Sequence, residues 1–228
     1  MEKPIPPKKK PRKKSNEETV ETTILIVDDS PYIVDGLVAL LKRKGFNTLA
    51  SHGGEEALAL LGTTKPDLIL LDIMMEPMDG WETLGKIKAN PIYGDIPILM
   101  FSAKKITLEE AQEHSLSIED FVSKPVNPAQ LLDAIRRIFE RRSAVRDEVI
   151  QATNAGVDPG LIEEYSALRK SIEVDKNLLA VLKQSSGTHL PGREIAADDL
   201  AAISRLEAKI LADEHRFREI NGKFTAGA

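Results

Sequence analysis

The stretch LILLDIMMEPMDG, residues 68–80, begins with four apolar residues and turns polar at a carboxylate, Asp72. Such a run reads as a strand buried on both faces. Working outward, ILIV at 24–27 ends in Asp28 and Asp29, ILMF at 98–101 ends in Ser102, and a run ending at 122 is followed by Lys124 and Pro125. Strands are expected at 23–28, 46–51, 67–72, 96–101 and 118–122, with amphipathic stretches between them. That alternation is the pattern of an α/β fold, a doubly wound five-stranded parallel sheet with helices on both faces.

The helices carry their own punctuation. Ser30 and Pro31 supply an N-cap and a first-turn proline, Val34, Leu37, Val38 and Leu41 line one face, and Gly45 follows the last turn as a stop. Thr107 to Glu110 fits a capping box. Asn127 and Pro128 open a last helix whose Leu131, Leu132, Ile135, Ile138 and Phe139 form its buried stripe.

Composition bounds the answer. The 228 residues hold 31 Lys and Arg against 36 Asp and Glu, with 42% hydrophobic residues, enough for a sizeable core. Cysteine is absent, so thiol catalysis and Cys-based zinc or iron–sulfur sites are excluded. No apolar run approaches the ~20 residues needed to span a bilayer, and the basic N-terminus lacks the apolar stretch of a secretory signal, so a cytoplasmic location is expected. Charge is uneven along the chain: 7 basic and 4 acidic residues in 1–21, 11 and 18 in 22–140, 13 and 14 in 141–228. Three segments follow: a disordered basic tail over 1–21, an α/β domain over 22–142, and a helical module over 143–228. The tail, too poor in apolar groups to fold, is a solvated segment or one that touches nucleic acid or an anionic surface.

In an open parallel sheet the chemistry sits beyond the carboxyl ends of the strands. Here Asp28, Asp29, Asp72, Ser102 and Lys124 all fall at that end. Three neighbouring carboxylates repel unless a cation neutralises them, and hard oxygen ligands suit Mg²⁺. A carboxylate beside Mg²⁺ can accept a phosphoryl group while a lysine and a hydroxyl hold the incoming oxygens. Taken singly each residue has an ordinary alternative: a helix cap for Asp28 or Asp29, a turn residue for Asp72, a loop hydroxyl for Ser102, a surface charge for Lys124. Their joint placement on consecutive strand ends argues for a site.

The constellation resembles the receiver domain of two-component response regulators, on the motifs ILIVDDS (24–30), LILLDIMMEPMDG (68–80), LMFSA (99–103) and FVSKPV (121–126). The resemblance spans roughly 22–142. It implies a flavodoxin-like sheet in the order 2-1-3-4-5, with Asp72 as phosphoacceptor and Asp29 as a direct Mg²⁺ ligand supported by Asp28. It also implies a metal contact from the main-chain carbonyl of Met74, Lys124 on the phosphoryl group, a cis peptide at Lys124-Pro125, and switch positions at Ser102 and Phe121. On that pattern an acyl phosphate draws the Ser102 hydroxyl inward and Phe121 turns into the vacated space, so the face made by the fourth helix, fifth strand and fifth helix reads the signal. The alternative for Phe121 is an ordinary core aromatic. The sequence departs from the family where Glu76 separates Met75 from Pro77, which allows a differently shaped loop. Met74 and Lys104 stand where the family tunes hydrolysis of the acyl phosphate.

Beyond Arg142 the chain is rich in Ala, Leu, Glu, Lys and Arg, with breaks at 156–160 and 185–192. Leu161, Tyr165, Leu168, Ile172, Asp175, Leu179 and Leu182 step by four and three, as do Ile203, Leu206, Ile210, Asp213, Phe217 and Ile220 by three and four. These are coiled-coil seams, and an all-α helical hairpin, packed within the chain or on a second copy, is expected. Asp175 and Asp213 in the seams lie near a hairpin end, pair with a basic neighbour, or mark a docking site. A receiver followed by a helical pair resembles a response regulator with a HalX-type output, which implies DNA binding. The near-neutral charge of the segment favours protein interaction or self-dimerisation instead.

The expected function is thus a phosphorelay switch, phosphorylated in trans by a sensor histidine kinase, with no enzymatic activity beyond its own phosphorylation and dephosphorylation. A Mg²⁺-dependent aspartyl-phosphate hydrolase would need an acid/base aspartate two residues after the nucleophile, where Met74 stands. A degenerate receiver used only for binding would lack a functional group, and none is missing.

Overall fold

A computed structural model describes residues 22–103, Glu110, His114, 117–185 and 197–226. The basic tail at 1–21, Lys104 and all of the capping box except Glu110 lie outside the described residues. The elements run β1 (Thr23–Val27), α1 (Pro31–Arg43), β2 (Asn47–Ser51), α2 (Gly54–Leu61), β3 (Leu68–Asp72), α3 (Gly80–Lys88), β4 (Ile98–Ser102), β5 (Asp120–Ser123), α4 (Pro128–Asn154), α5 (Pro159–Ser185) and α6 (Ala197–Ala226). Glu110 and His114 are helical. The helix numbered α4 is therefore the last helix expected of the α/β domain.

The five strands pair in parallel in the order β2-β1-β3-β4-β5, the flavodoxin-like arrangement. Alternate residues of each strand face opposite layers. Leu25, Val27, Ile69, Leu71, Ile98 and Met100 pack with Ala57, Leu61, Leu84 and Ile87 of α2 and α3. Ile24, Ile26, Leu68, Leu70, Leu99 and Phe101 pack with Val34, Leu37 and Leu41 of α1 and Leu131, Ile135 and Ile138 of α4.

Helix ends follow the local chemistry, with one correction. Asn127 caps α4 by accepting from the backbone N–H groups of Ala129 (2.9 Å) and Gln130 (3.4 Å), and Asp79 caps α3 through Glu82 N at 2.8 Å. Gly45, with φ of 90°, ends α1 as expected. Ser30 occupies the N-cap of α1 but makes no side-chain cap bond; its own N–H donates to Asp28 Oδ1 at 2.9 Å. Strands β4 and β5 start two residues later than expected. Ile96 N–H closes a turn on Tyr93 O and Ile118 N–H still bonds His114 O, so neither residue joins the ladder.

Helix α4 runs unbroken through residue 142 to Asn154, so one helix serves both the sheet domain and the helical module. It stops at Gly156, whose φ of 75° suits glycine. Helices α5 and α6 form an antiparallel hairpin within the chain: partners rise along one helix as they fall along the other, from Glu164–Arg216 (2.6 Å) to Lys183–Glu207 (2.6 Å). The Tyr165 and Phe217 rings stack with centroids 5.0 Å apart.

Of the three options for the seam aspartates, pairing with a basic neighbour holds. Lys209 bonds both Asp175 and Asp213, and Ser171 joins them. Leu179 and Leu182 are only partly buried, whereas Val174 and Leu178, off the expected seam, are fully buried. Helix α5 has two apolar faces because it packs on two partners: α6 on one side and the sheet domain on the other, where Val174 and Leu178 share a core with Ile96, Ile118 and Phe121.

Candidate functional site

Four of the five strands deliver polar groups to the same end of the sheet. Strand β1 releases its chain into Asp28 and Asp29, β3 ends on Asp72, β4 ends on Ser102, and β5 is followed by Lys124. The register sets Asp72 beside Phe101 and Ser102 beside Ser123. The ladder is extended by Lys124 N–H donating to Ser102 O at 2.8 Å, which carries the lysine over the strand ends.

The residues expected from the sequence come together. Carboxylate oxygens of Asp28, Asp29 and Asp72 lie within 4.8 Å of one another. Lys124 Nζ is 2.7 Å from Asp28 Oδ2 and 2.8 Å from Asp72 Oδ2, and it sits 4.7 Å above the Phe101 ring. Asp28, Asp72 and Ser102 are buried, and Asp29 is exposed at the mouth. Three carboxylates and one ammonium leave an excess of negative charge. Burial pushes the Asp72 carboxyl up from the ordinary carboxylate range; the hydrogen bond and charge of Lys124 oppose this, and the charge of Asp28 adds to it.

One oxygen of Asp72 tests whether a cation suits the site. Asp72 Oδ1 is buried and has no hydrogen-bond partner. An orphaned carboxylate oxygen beside two further carboxylates is what a hard divalent ion would satisfy. The residues present fit Mg²⁺.

The Lys124-Pro125 peptide is cis, as the resemblance implied, and Glu76-Pro77, in the loop that departs from the family, is cis as well. Met74 is half exposed beside the site. Phe121 is buried in the core that β5 shares with α5. Sequence reasoning missed Gly80, which forms the floor of the site. Its N–H closes the loop on Ile73 O at 2.9 Å. A Cβ there would meet Asp72 O at 2.1 Å and Ile73 Cα at 2.7 Å, both backbone atoms that cannot rotate away. The Asp79-Gly80 pair that ends the loop was the available signal. We expect Gly80→Ala to cost about 1 to 3 kcal/mol by overpacking and to displace the Asp72 main chain; unchanged urea unfolding would contradict this.

Residues 24–136 match the response regulator receiver domain family, and 141–228 match the family described as Metanogen output domain 2. The transcriptional regulatory protein CpxR of Klebsiella pneumoniae is 30% identical over 203 residues, covering 88% of this chain and 80% of that protein. Of several other curated regulators the chain spans about half the length. Among solved structures, the N-terminal domain of a response regulator receiver protein from Methanoculleus marisnigri JR1 is 55% identical, covering 50% of this chain and 94% of that one, with a TM-score of 0.44. A CheY-like receiver domain protein from Methanospirillum hungatei JF-1 is 28% identical, covering 54% and 98%, with a TM-score of 0.50. With a parallel sheet in the family's order, an acidic cluster at its carboxyl end and an output domain behind it, the chain belongs to the response regulators of two-component phosphorelay systems.

Proposed function

We propose that Asp72 is the phosphoacceptor, taking a phosphoryl group from the phosphohistidine of a sensor histidine kinase that acts in trans. The observation that carries this is the state of its carboxylate: one oxygen held by Lys124, the other buried and without a partner. One of the two carboxylate oxygens of Asp72 is the nucleophile. Its bond to phosphorus forms as the bond from phosphorus to the donor histidine nitrogen breaks, and no net proton is required by the acceptor.

Asp28, Asp29, Asp72 and the main-chain carbonyl of Met74 would hold Mg²⁺, which supplies positive charge for the phosphoryl oxygens. Lys124 neutralises the third side of the group, and Ser102, buried on the adjacent strand end, donates its hydroxyl to it. Ser102 and Phe121 form the switch: the hydroxyl moves toward the phosphoryl oxygen and Phe121 fills the space it leaves. The reaction is confined to this chain's own carboxylate. The hydrolase alternative lacks its acid/base group, since Met74 stands two residues after Asp72.

The working domains are a basic tail over 1–21, a receiver over 22–142 and an output module over 143–228, in the cytoplasm. No described helix is long and apolar enough to cross a membrane. Output through protein contact or self-dimerisation is the reading we favour over DNA binding, because 141–228 hold 13 basic against 14 acidic residues and so offer no net attraction for phosphates.

Incubation with acetyl phosphate and Mg²⁺, followed by intact mass and peptide mapping, tests the assignment; an adduct elsewhere than Asp72 would refute it. The thioether of Met74 cannot orient an attacking water by hydrogen bonding, so the phosphorylated form should be long-lived. Met74→Asn should shorten it several-fold, the worth of about one hydrogen bond of ~1 kcal/mol. Equal rates of phosphate loss in the two proteins would count against that role.

A further inference from the structure

The output hairpin is attached to the receiver at two levels built from different chemistry. At the amino end of β5, Glu119 lies buried among cations from two helices. Arg141 and Arg142 of α4 reach its carboxylate at 2.5 and 3.2 Å, and Lys170 of α5 at 3.1 Å. Arg141 also donates to Glu119 O at 2.9 Å and to Glu173 of α5 at 2.8 Å. Two turns farther along α5, Asn177 donates to Asp120 Oδ1 at 3.0 Å, the oxygen that also accepts from Phe121 N–H.

Above that level α5 turns apolar, through Leu178, Leu179, Ala180, Val181 and Leu182. Ala180 and Val181 line a groove of about 600 Å³ together with Phe121, Lys124 and Gln130. Lys170 and Val181 are separated by about 16 Å along the helix at 1.5 Å per residue. One end of α5 is thus fixed to the receiver by charged, partly buried hydrogen bonds, while toward the other Val181 packs on the shared apolar core and, with Ala180, borders the groove that Lys124 also lines. Phe121 sits between the two: it contributes to the core with Val174 and Leu178 and to the wall of the groove.

We propose that the hairpin is hinged on the receiver. The ion cluster at Glu119 is the fixed end, and movement of Phe121 on phosphorylation changes the width of the groove by swinging the Ala180–Val181 end of α5. The inference rests on the phosphoaccepting role of Asp72. Charged pairs that leave water are costly to separate singly, whereas an apolar wall beside a groove repacks when a ring turns. The hairpin therefore pivots without undocking.

The test uses spin labels on the full chain, which has no native cysteine. One pair, Gln130→Cys with Ala180→Cys, spans the upper groove. A second, Ser143→Cys with Ser166→Cys, spans the cavity beneath Glu119. With phosphorylation verified by mass, the upper distance should shift and the lower should not. The unphosphorylated variant Lys170→Gln with Glu173→Gln, which removes the α5 side of the cluster and leaves Glu119 with both arginines, should broaden the lower distribution. Equal shifts in both pairs, no shift in a chain carrying the phosphoryl group, or a lower distribution unchanged in the variant would each overturn the hinge. Absence of the mass adduct would instead overturn the phosphoacceptor assignment, and the variant's lower distribution would still decide whether the cluster is the fixed end.

Discussion

Treated with acetyl phosphate and Mg²⁺, the wild-type chain gains the mass of one phosphoryl group, and Asp72→Asn gains none. The loss is expected to be complete, because an amide has no anionic oxygen to attack phosphorus and no other carboxylate shares the position of Asp72. Asp28 is engaged on both oxygens, by Ser30 N–H and Lys124. Asp29 is exposed, unlike Asp72. The substitution keeps the side chain's shape and removes one of three clustered negative charges, so the fold should survive. Lys124 retains Asp28 at 2.7 Å. A folded Asp72→Asn protein without the adduct therefore reports chemistry and not collapse. An adduct that persists in the variant, mapped to Asp29 or another residue, would sink the assignment.

The site was legible because parallel sheets impose a rule: four apolar runs each ended in a different polar group, and the fold had no choice but to bring those ends together. Asp28, Asp72, Ser102 and Lys124 needed only strand positions to be placed. Gly80 was not legible, since its role is steric and depends on how the 73–80 loop folds back under Asp72. The hairpin's seam was visible as a heptad-like spacing, and its second face was not. Val174 and Leu178 fall off the seam, and nothing in a one-dimensional period says that a helix has two partners. Long-range charge pairing was equally hidden: Lys209 is the partner of Asp175 across the hairpin, but the same helix also offers Arg205, Arg216, Arg218 and Lys223. The change in composition near 142 marked a boundary between functions. Helix α4 crosses it without a break, and its Arg141 bonds Glu119 on one side and Glu173 of the hairpin on the other.

Glu119→Gln should cost about 3 kcal/mol at neutral pH, the scale for breaking a buried pair, and the cost should vanish in acid. Burial alone would raise the Glu119 carboxyl, but the charges of Lys170, Arg141 and Arg142 and the Arg141 hydrogen bond outweigh it and hold the group below its ordinary value of 4.5. An acid whose folded pKa is depressed binds fewer protons in the folded state, so its stabilisation is present in full above the unfolded value. It is lost as pH falls through the folded one. The groups facing Glu119 are the two arginines of α4, Lys170 of α5 and Lys88 of α3. Burial, and then the charge of Lys170, push Lys88 down only to about 8. Removing the carboxylate leaves Arg141, itself buried, with Glu173 and the Glu119 carbonyl as its remaining partners. Urea unfolding of wild type and Glu119→Gln from pH 7 downward should show two curves that converge below about pH 4.5, the unfolded value. A constant gap would mean that the lost stability comes from packing and not from charge, and the cluster would then be an incidental contact between receiver and hairpin.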